Sequence, residues 1–181
     1  MAECGKERQS PIDIPAATVE KPGVPFIMEN YSSSVDWTGK NTGHGVQLDV
    51  TSLDTKVSGG DLPGTYLLVQ FHFHWGSANH GGSEHTVDGK QHFAEIHLVH
   101  IKEDYALFGD YMAHDDGLAV LGFFVDVEDG VAEGPLDELI QNQIATNLLE
   151  PSSTNAINGF AMDSILPATF DNYYRYNFVF F

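Results

Sequence analysis

Seven of the nine histidines in this 181-residue chain fall between His72 and His100. In Leu68-Val69-Gln70-Phe71-His72-Phe73-His74-Trp75 polar and apolar residues alternate, which is the period of a strand. Alternate strand side chains face opposite ways, so Gln70, His72 and His74 share one face while Val69, Phe71, Phe73 and Trp75 share the other. At a rise of about 3.3 Å per residue the two imidazoles stand roughly 6.6 Å apart along the strand, a separation from which both rings can converge on one ion. A second run, Phe93-Ala94-Glu95-Ile96-His97-Leu98-Val99-His100, puts Phe93, Glu95, His97 and Val99 on one face. If the two strands pair, His97 supplies a third nitrogen. Three neutral imidazoles without a fourth protein ligand form an open zinc site, the catalytic rather than the structural pattern. Gln70 stands two residues before His72, as Glu95 does before His97, and ligating histidines pass their other N–H to such acceptors.

Two half-buried histidines would give the same His-x-His pattern without a metal. Glu95 favours the metal reading, because a carboxylate in an apolar stretch is rarely buried unpaired and a ligand histidine supplies its partner. A cupin-type site also uses His-x-His, but it wants a carboxylate ligand a few residues later. The first acid after His74 is Glu84, so that type is rejected. His80, His85, His92, His100 and His114 are read as surface or structural histidines, and Trp75 as packing.

The elements that must carry these residues are short. Runs over Val46 to Val50, Tyr66 to Trp75, Phe93 to His100 and Leu118 to Val127 read as strands between Gly- and Pro-rich turns. Leu136, Leu139, Ile140, Ile144 and Leu148 recur at helical spacing behind Pro135, which suits a first helical turn. The expected class is strand-rich α+β with minor helix. Length and composition suit one domain: 42 % of residues are hydrophobic and 19 % charged, with no repeat or linker. The net charge of −18 repels nucleic-acid backbones and anionic membranes. No apolar run is long enough for a membrane-spanning segment. The start shows no secretory signal, and Cys4, the single cysteine, can form no internal disulfide. Asn30-Tyr31-Ser32 is a glycosylation sequon, a triplet that chance also produces.

Leu68 to Gly76, Gly82-Ser83-Glu84-His85-Thr86-Val87-Asp88 and Ala94 to His100 resemble the α-class carbonic anhydrases in order and spacing. The resemblance extends to Arg8-Gln9-Ser10-Pro11-Ile12-Asp13-Ile14, Asn41-Thr42-Gly43-His44, Asp116 to Gly122 and Tyr173-Tyr174-Arg175-Tyr176, covering about 4–177. It implies a central, largely antiparallel twisted β-sheet with a few peripheral helices. It also implies Zn2+ on His72, His74 and His97, oriented in part by Gln70 and Glu95. His44 takes the part of the proton shuttle, and without the resemblance it reads as a plain loop histidine. Glu84 takes the part of the buried acid that holds a gatekeeper threonine, and Val99, Leu118 and Val120 that of the apolar wall beside carbon dioxide. The implied function is zinc-dependent reversible hydration of carbon dioxide to bicarbonate and a proton. The alternatives are a non-catalytic binding or structural module of the same family, or an acidic secreted protein linked to mineralisation.

The family pattern continues past the Tyr-x-Tyr segment with Gly-Ser-Leu-Thr-Thr-Pro-Pro, whereas here Phe178-Val179-Phe180-Phe181 follows Asn177. The expectation is therefore a single, incomplete domain over 1–181, short at both ends, with a divergent tail at 178–181. Its final strands and the gatekeeper threonine would be missing, and its activity impaired. In secreted members of the family a cysteine at the Cys4 position bonds to one beyond that threonine. Cys4 and the Asn30 sequon thus favour an extracellular parent protein.

Overall fold

A computed structural model describes residues 9–18, 24–77, 80–107, 109–128, 130, 132–170 and 172–177. Cys4, with its expected pairing, and the tail 178–181 lie outside the described residues. In chain order the strands are β1 (Asp13–Ile14), β2 (Phe26–Glu29), β3 (Val35–Asn41), β4 (Val46–Val50), β5 (Lys56–Gly59), β6 (Tyr66–Trp75), β7 (Thr86–Val87), β8 (Lys90–Gln91), β9 (Ala94–Lys102), β10 (Leu118–Val125) and β11 (Thr154–Phe160). Eight of them form one sheet, ordered β10-β9-β6-β4-β3-β11, with β5 pairing β6 and β2 pairing β5. Every pairing in that sheet is antiparallel. A small separate sheet joins β1, β7 and β8. The expected strand-rich fold, with a large, mostly antiparallel twisted sheet and few short helices, is the observed one.

Alternation divides the large sheet into two chemical faces. Trp37, Leu48, Leu68, Phe71, Phe73, Ile96 and Leu98 turn to the core, where Trp37 meets Phe71 edge-on at 5.0 Å. Burying each such side chain is worth about 1.5–3 kcal/mol, so this face holds the sheet in place. The opposite face is polar at its centre. Register brings Gln47 of β4 opposite His72 of β6, and His72 opposite His97 of β9. Gly122 of β10 stands opposite His97.

A bulge between Leu68 and Gln70 breaks the simple alternation of β6. Leu68 pairs with His100 and Gln70 with Val99, leaving Val69 as the extra residue. That insertion lets Leu68 and Phe71, three apart, both enter the core while Gln70 faces the imidazoles. The expected strand boundaries at Phe93 and Val127 are corrected. Phe93 (49 % exposed) precedes β9, and Val127 (66 % exposed) follows β10.

The helix expected from Leu136 to Leu148 is present as α-helical turns at Pro135–Leu139 and Ala145–Asn147 around a π-helical segment, Ile140–Ile144. A π turn takes in one more residue, so the apolar face runs Leu136, Leu139, Ile144, Leu148. Ile140, expected on that face, is rotated outward and exposed. Leu139 and Leu148 are buried against the core face of the sheet.

Candidate metal centre

The three histidines singled out from the sequence meet on the polar face. Ring centroids lie 4.9 Å apart for His72 and His74, 5.2 Å for His72 and His97, and 4.6 Å for His74 and His97. Each offers one nitrogen, and these nitrogens all fall within 4.8 Å of one another. His72 Nδ1 is 2.9 Å from Gln70 Oε1, and His97 Nε2 is 2.7 Å from Glu95 Oε1. The acceptors thus engage one nitrogen of each ring and leave His72 Nε2 and His97 Nδ1 to face the centre.

His74 Nε2 is buried and makes no hydrogen bond among the described residues. Glu84 Oε2 lies 3.3 Å from it, within ion-pair range. An orphaned buried nitrogen beside two other convergent ring nitrogens suits a borderline cation such as zinc, so the donor set fits that metal. Burial, with neighbouring His97 and His74, lowers the His72 pKa to about 4. Burial and the adjacent His97 likewise lower that of His74. Both rings are therefore neutral at pH 7, the state in which imidazole ligates.

Glu95 is 1 % exposed. Burial alone would raise its pKa, but hydrogen bonds from His85 and His97 hold it well below the usual carboxylate range. Its Oε1 accepts from His85 Nδ1–H and His97 Nε2–H, both at 2.7 Å, and its Oε2 from the His85 backbone N–H at 2.9 Å. His85, expected to be a surface or structural histidine, is a structural one, buried behind the three convergent histidines. Its Nε2 accepts from the Tyr176 hydroxyl at 2.5 Å, which itself is 2.7 Å from Ser10 Oγ. His85, Glu95 and His97 also form a set of metal-capable donors, but hydrogen bonds already engage Glu95 Oε1 from both sides.

The remaining candidates are placed as follows. Glu84 is not the buried acid expected: its side chain is 39 % exposed and its carboxylate turns toward His74, with His97 Nδ1 at 3.8 Å. Val99 and Val120 stand opposite each other on β9 and β10, beside Gln70, and Leu118 lies two residues on along the same face. His44 is exposed in the turn between β3 and β4. Trp75, expected to pack, is 54 % exposed at the end of β6. His85, Tyr176 and Ser10 escaped the sequence reading. No period links them, since 91 positions separate His85 from Tyr176. Gly122 was missed as well, though it lies directly against Glu95: a Cβ there would sit 3.0 Å from Glu95 Oε1.

Residues 1–178 match the eukaryotic-type carbonic anhydrase family. Carbonic anhydrase 7 of Homo sapiens is 44 % identical over 127 residues, 68 % of this chain and 48 % of that protein. Carbonic anhydrases 4 and 15 of Mus musculus are 35 % and 36 % identical, each over 96 % of this chain and 56 % of its own length. The chain spans about half the length of the relatives it matches. With the match running through nearly every residue, the chain belongs to the eukaryotic-type carbonic anhydrase family.

Proposed function

We propose that this chain hydrates carbon dioxide reversibly to bicarbonate and a proton, with zinc held by His72, His74 and His97. The observation that carries the proposal is the convergence of three imidazole nitrogens within 4.8 Å, one of them buried without a hydrogen-bond partner. Zinc bound there would lower the pKa of water to about 7, the established behaviour of carbonic anhydrases, and so supply the nucleophile.

The chain's own residues do the rest. Gln70 and Glu95 hold the His72 and His97 rings in one tautomer and one orientation. Val99, Val120 and Leu118 form an apolar strip beside the imidazoles, against which a molecule without hydrogen-bonding hydrogens displaces water at little penalty. His44, exposed in the turn between β3 and β4, takes the product proton and passes it to buffer, since an imidazole can both accept and donate one. Asn30 is exposed on the turn after β2, with its Nδ2 donating to Asp54 O at 2.8 Å, and an extracellular setting rests on the Asn30 sequon and Cys4 alone.

We also propose that hydration by this chain is slow. Among the described residues Glu84 holds no hydroxyl, and its carboxylate lies 3.3 Å from His74 Nε2 instead. Losing one positioned hydrogen-bonding group in such a site lowers kcat by about 10²–10³. Metal analysis after zinc loading, with stopped-flow hydration on the same sample, tests both statements. One zinc per chain, lost in His72→Ala, and a weak chelator-sensitive rate are expected. Failure to retain zinc refutes the site. A rate equal to that of the full-length relatives refutes the impairment.

A further inference from the structure

We infer that Asn41 is the positioning residue for His44, clamping its turn to the end of the Pro135–Asn147 helical stretch. The inference rests on the shuttle role proposed above for His44.

The turn 42–45 carries glycine at 43 and 45, and such a segment is mobile unless tied. It is tied internally. The His44 and Gly45 N–H groups donate to Thr42 Oγ1 at 3.3 and 3.2 Å, and Thr42 N–H donates to Gly45 O at 2.9 Å. These bonds set the shape of the turn, and the β3–β4 pairing sets its base on the sheet, with Gln47 opposite His72; a tie from the turn to the elements beyond β3 is a second constraint.

Asn41 supplies that second constraint. Its Oδ1 accepts from Gly43 N–H at 2.9 Å, while its Nδ2 donates to Leu148 O at 2.9 Å. Its backbone N–H donates to Ser153 O at 3.0 Å, and its carbonyl accepts from Ser152 N–H at 2.8 Å. Carbonyls at a helix end lack partners within the helix, and Asn41 satisfies that of Leu148. Leu148 itself is 2 % exposed and seated in the core, so its carbonyl is a fixed point. An independent observation agrees: a Cβ at Gly39 would lie 2.8 Å from Leu148 Cδ1, so β3 approaches the helix end as closely as a glycine permits. The approach brings the amide of Asn41 within reach of both partners. Aspartate would keep the acceptor for Gly43 but set a carboxylate against the Leu148 carbonyl, and alanine would lose both bonds.

The zinc-loaded full chain is compared with Asn41→Ala, Asn41→Asp and His44→Ala. Hydration is measured in dilute non-imidazole buffer and again with added imidazole, alongside amide exchange. In both Asn41 variants kcat in dilute buffer should fall about tenfold while kcat/KM holds, and imidazole should restore it. Exchange at Gly43 should rise about tenfold in Asn41→Ala and less in Asn41→Asp, with β6 and β9 amides still protected as proof of folding. If both Asn41 variants keep kcat while His44→Ala loses it, the clamp is refuted and the shuttle stands. If His44→Ala changes nothing, the shuttle reading fails. The clamp is then judged by exchange alone, where unchanged protection at Gly43 refutes it.

Discussion

Gly122→Ala adds one methyl group at the point where the metal site leans on β10. The new Cβ would lie 3.0 Å from Glu95 Oε1, 3.6 Å from His97 Cδ2 and 3.8 Å from His97 Nε2. The latter two are ordinary contacts, so the strain falls on the carboxylate. Glu95 cannot withdraw freely, because three hydrogen bonds fix it in a buried place. Retreat by a few tenths of an ångström stretches charge-assisted bonds that are each worth about 1.5–3 kcal/mol. Alanine is favoured over glycine within a strand by roughly 0.5–1 kcal/mol, which offsets part of the loss. The net effect on urea unfolding of the metal-free chain should therefore be small, about 1 kcal/mol. Zinc affinity should suffer more, falling by about 10–100-fold, because the orientation of His97 is what the carboxylate controls. Competition with a chromogenic chelator measures this. Affinity within twofold of the parent, while Glu95→Ala loses zinc, would show that Glu95 yields without disturbing His97 and would sink the reasoning.

Two further outcomes follow from groups the site does not use directly. His100 is fully buried, with Nε2 accepting from the Tyr31 hydroxyl at 2.5 Å and Nδ1 donating to Ala119 O at 3.2 Å; burial lowers its pKa to about 4. The unfolded chain binds that proton from about pH 6.5 down, so its contribution is whole above 6.5 and drains as pH falls toward 4. Between pH 7 and 5 the loss is about 2 kcal/mol, and His100→Gln should flatten the pH dependence of urea unfolding by that amount; an unchanged slope refutes it. Tyr176→Phe leaves buried His85 Nε2 without its donor and should destabilise the chain by about 1–3 kcal/mol; a change below about 0.5 kcal/mol would mean that water replaces the hydroxyl.

Period and spacing made His72, His74 and His97 legible because all three lie on regular strands, where a face is a matter of counting. The same counting placed Val69 with Phe71, and the bulge spoils that assignment while sparing the histidines, which lie C-terminal to it. It also placed Ile140 with Leu139 and Ile144, because helical spacing in the sequence does not reveal the π turn that rotates Ile140 outward. Glu84 was misplaced for a different reason. Its surroundings were inferred from a partner beyond Asn177, whereas the carboxylate turns to whatever partners are nearest, and these are imidazoles.

What no pattern could yield is the support behind the ligands. His85 and Tyr176 are joined only because the sheet and the chain beyond it close on each other, and Asn41 reaches Leu148 across 107 positions. Such contacts carry no period, because each joins residues far apart in the chain that no strand or helix pairing relates. Their physical signature is nevertheless simple. Every one satisfies a buried or terminal polar group that regular structure leaves open: the second nitrogen of His85, the Glu95 carboxylate, the last carbonyls of a helix. The convergent histidines of this chain can thus be found by counting along strands. The residues that hold those histidines still are found by asking which buried polar atom regular structure leaves without a partner. By that test Tyr176 and Asn41 belong to the site's support, the one satisfying His85 Nε2 and the other the Leu148 carbonyl, while Gly122 is found by a different question, where a Cβ would meet the Glu95 carboxylate.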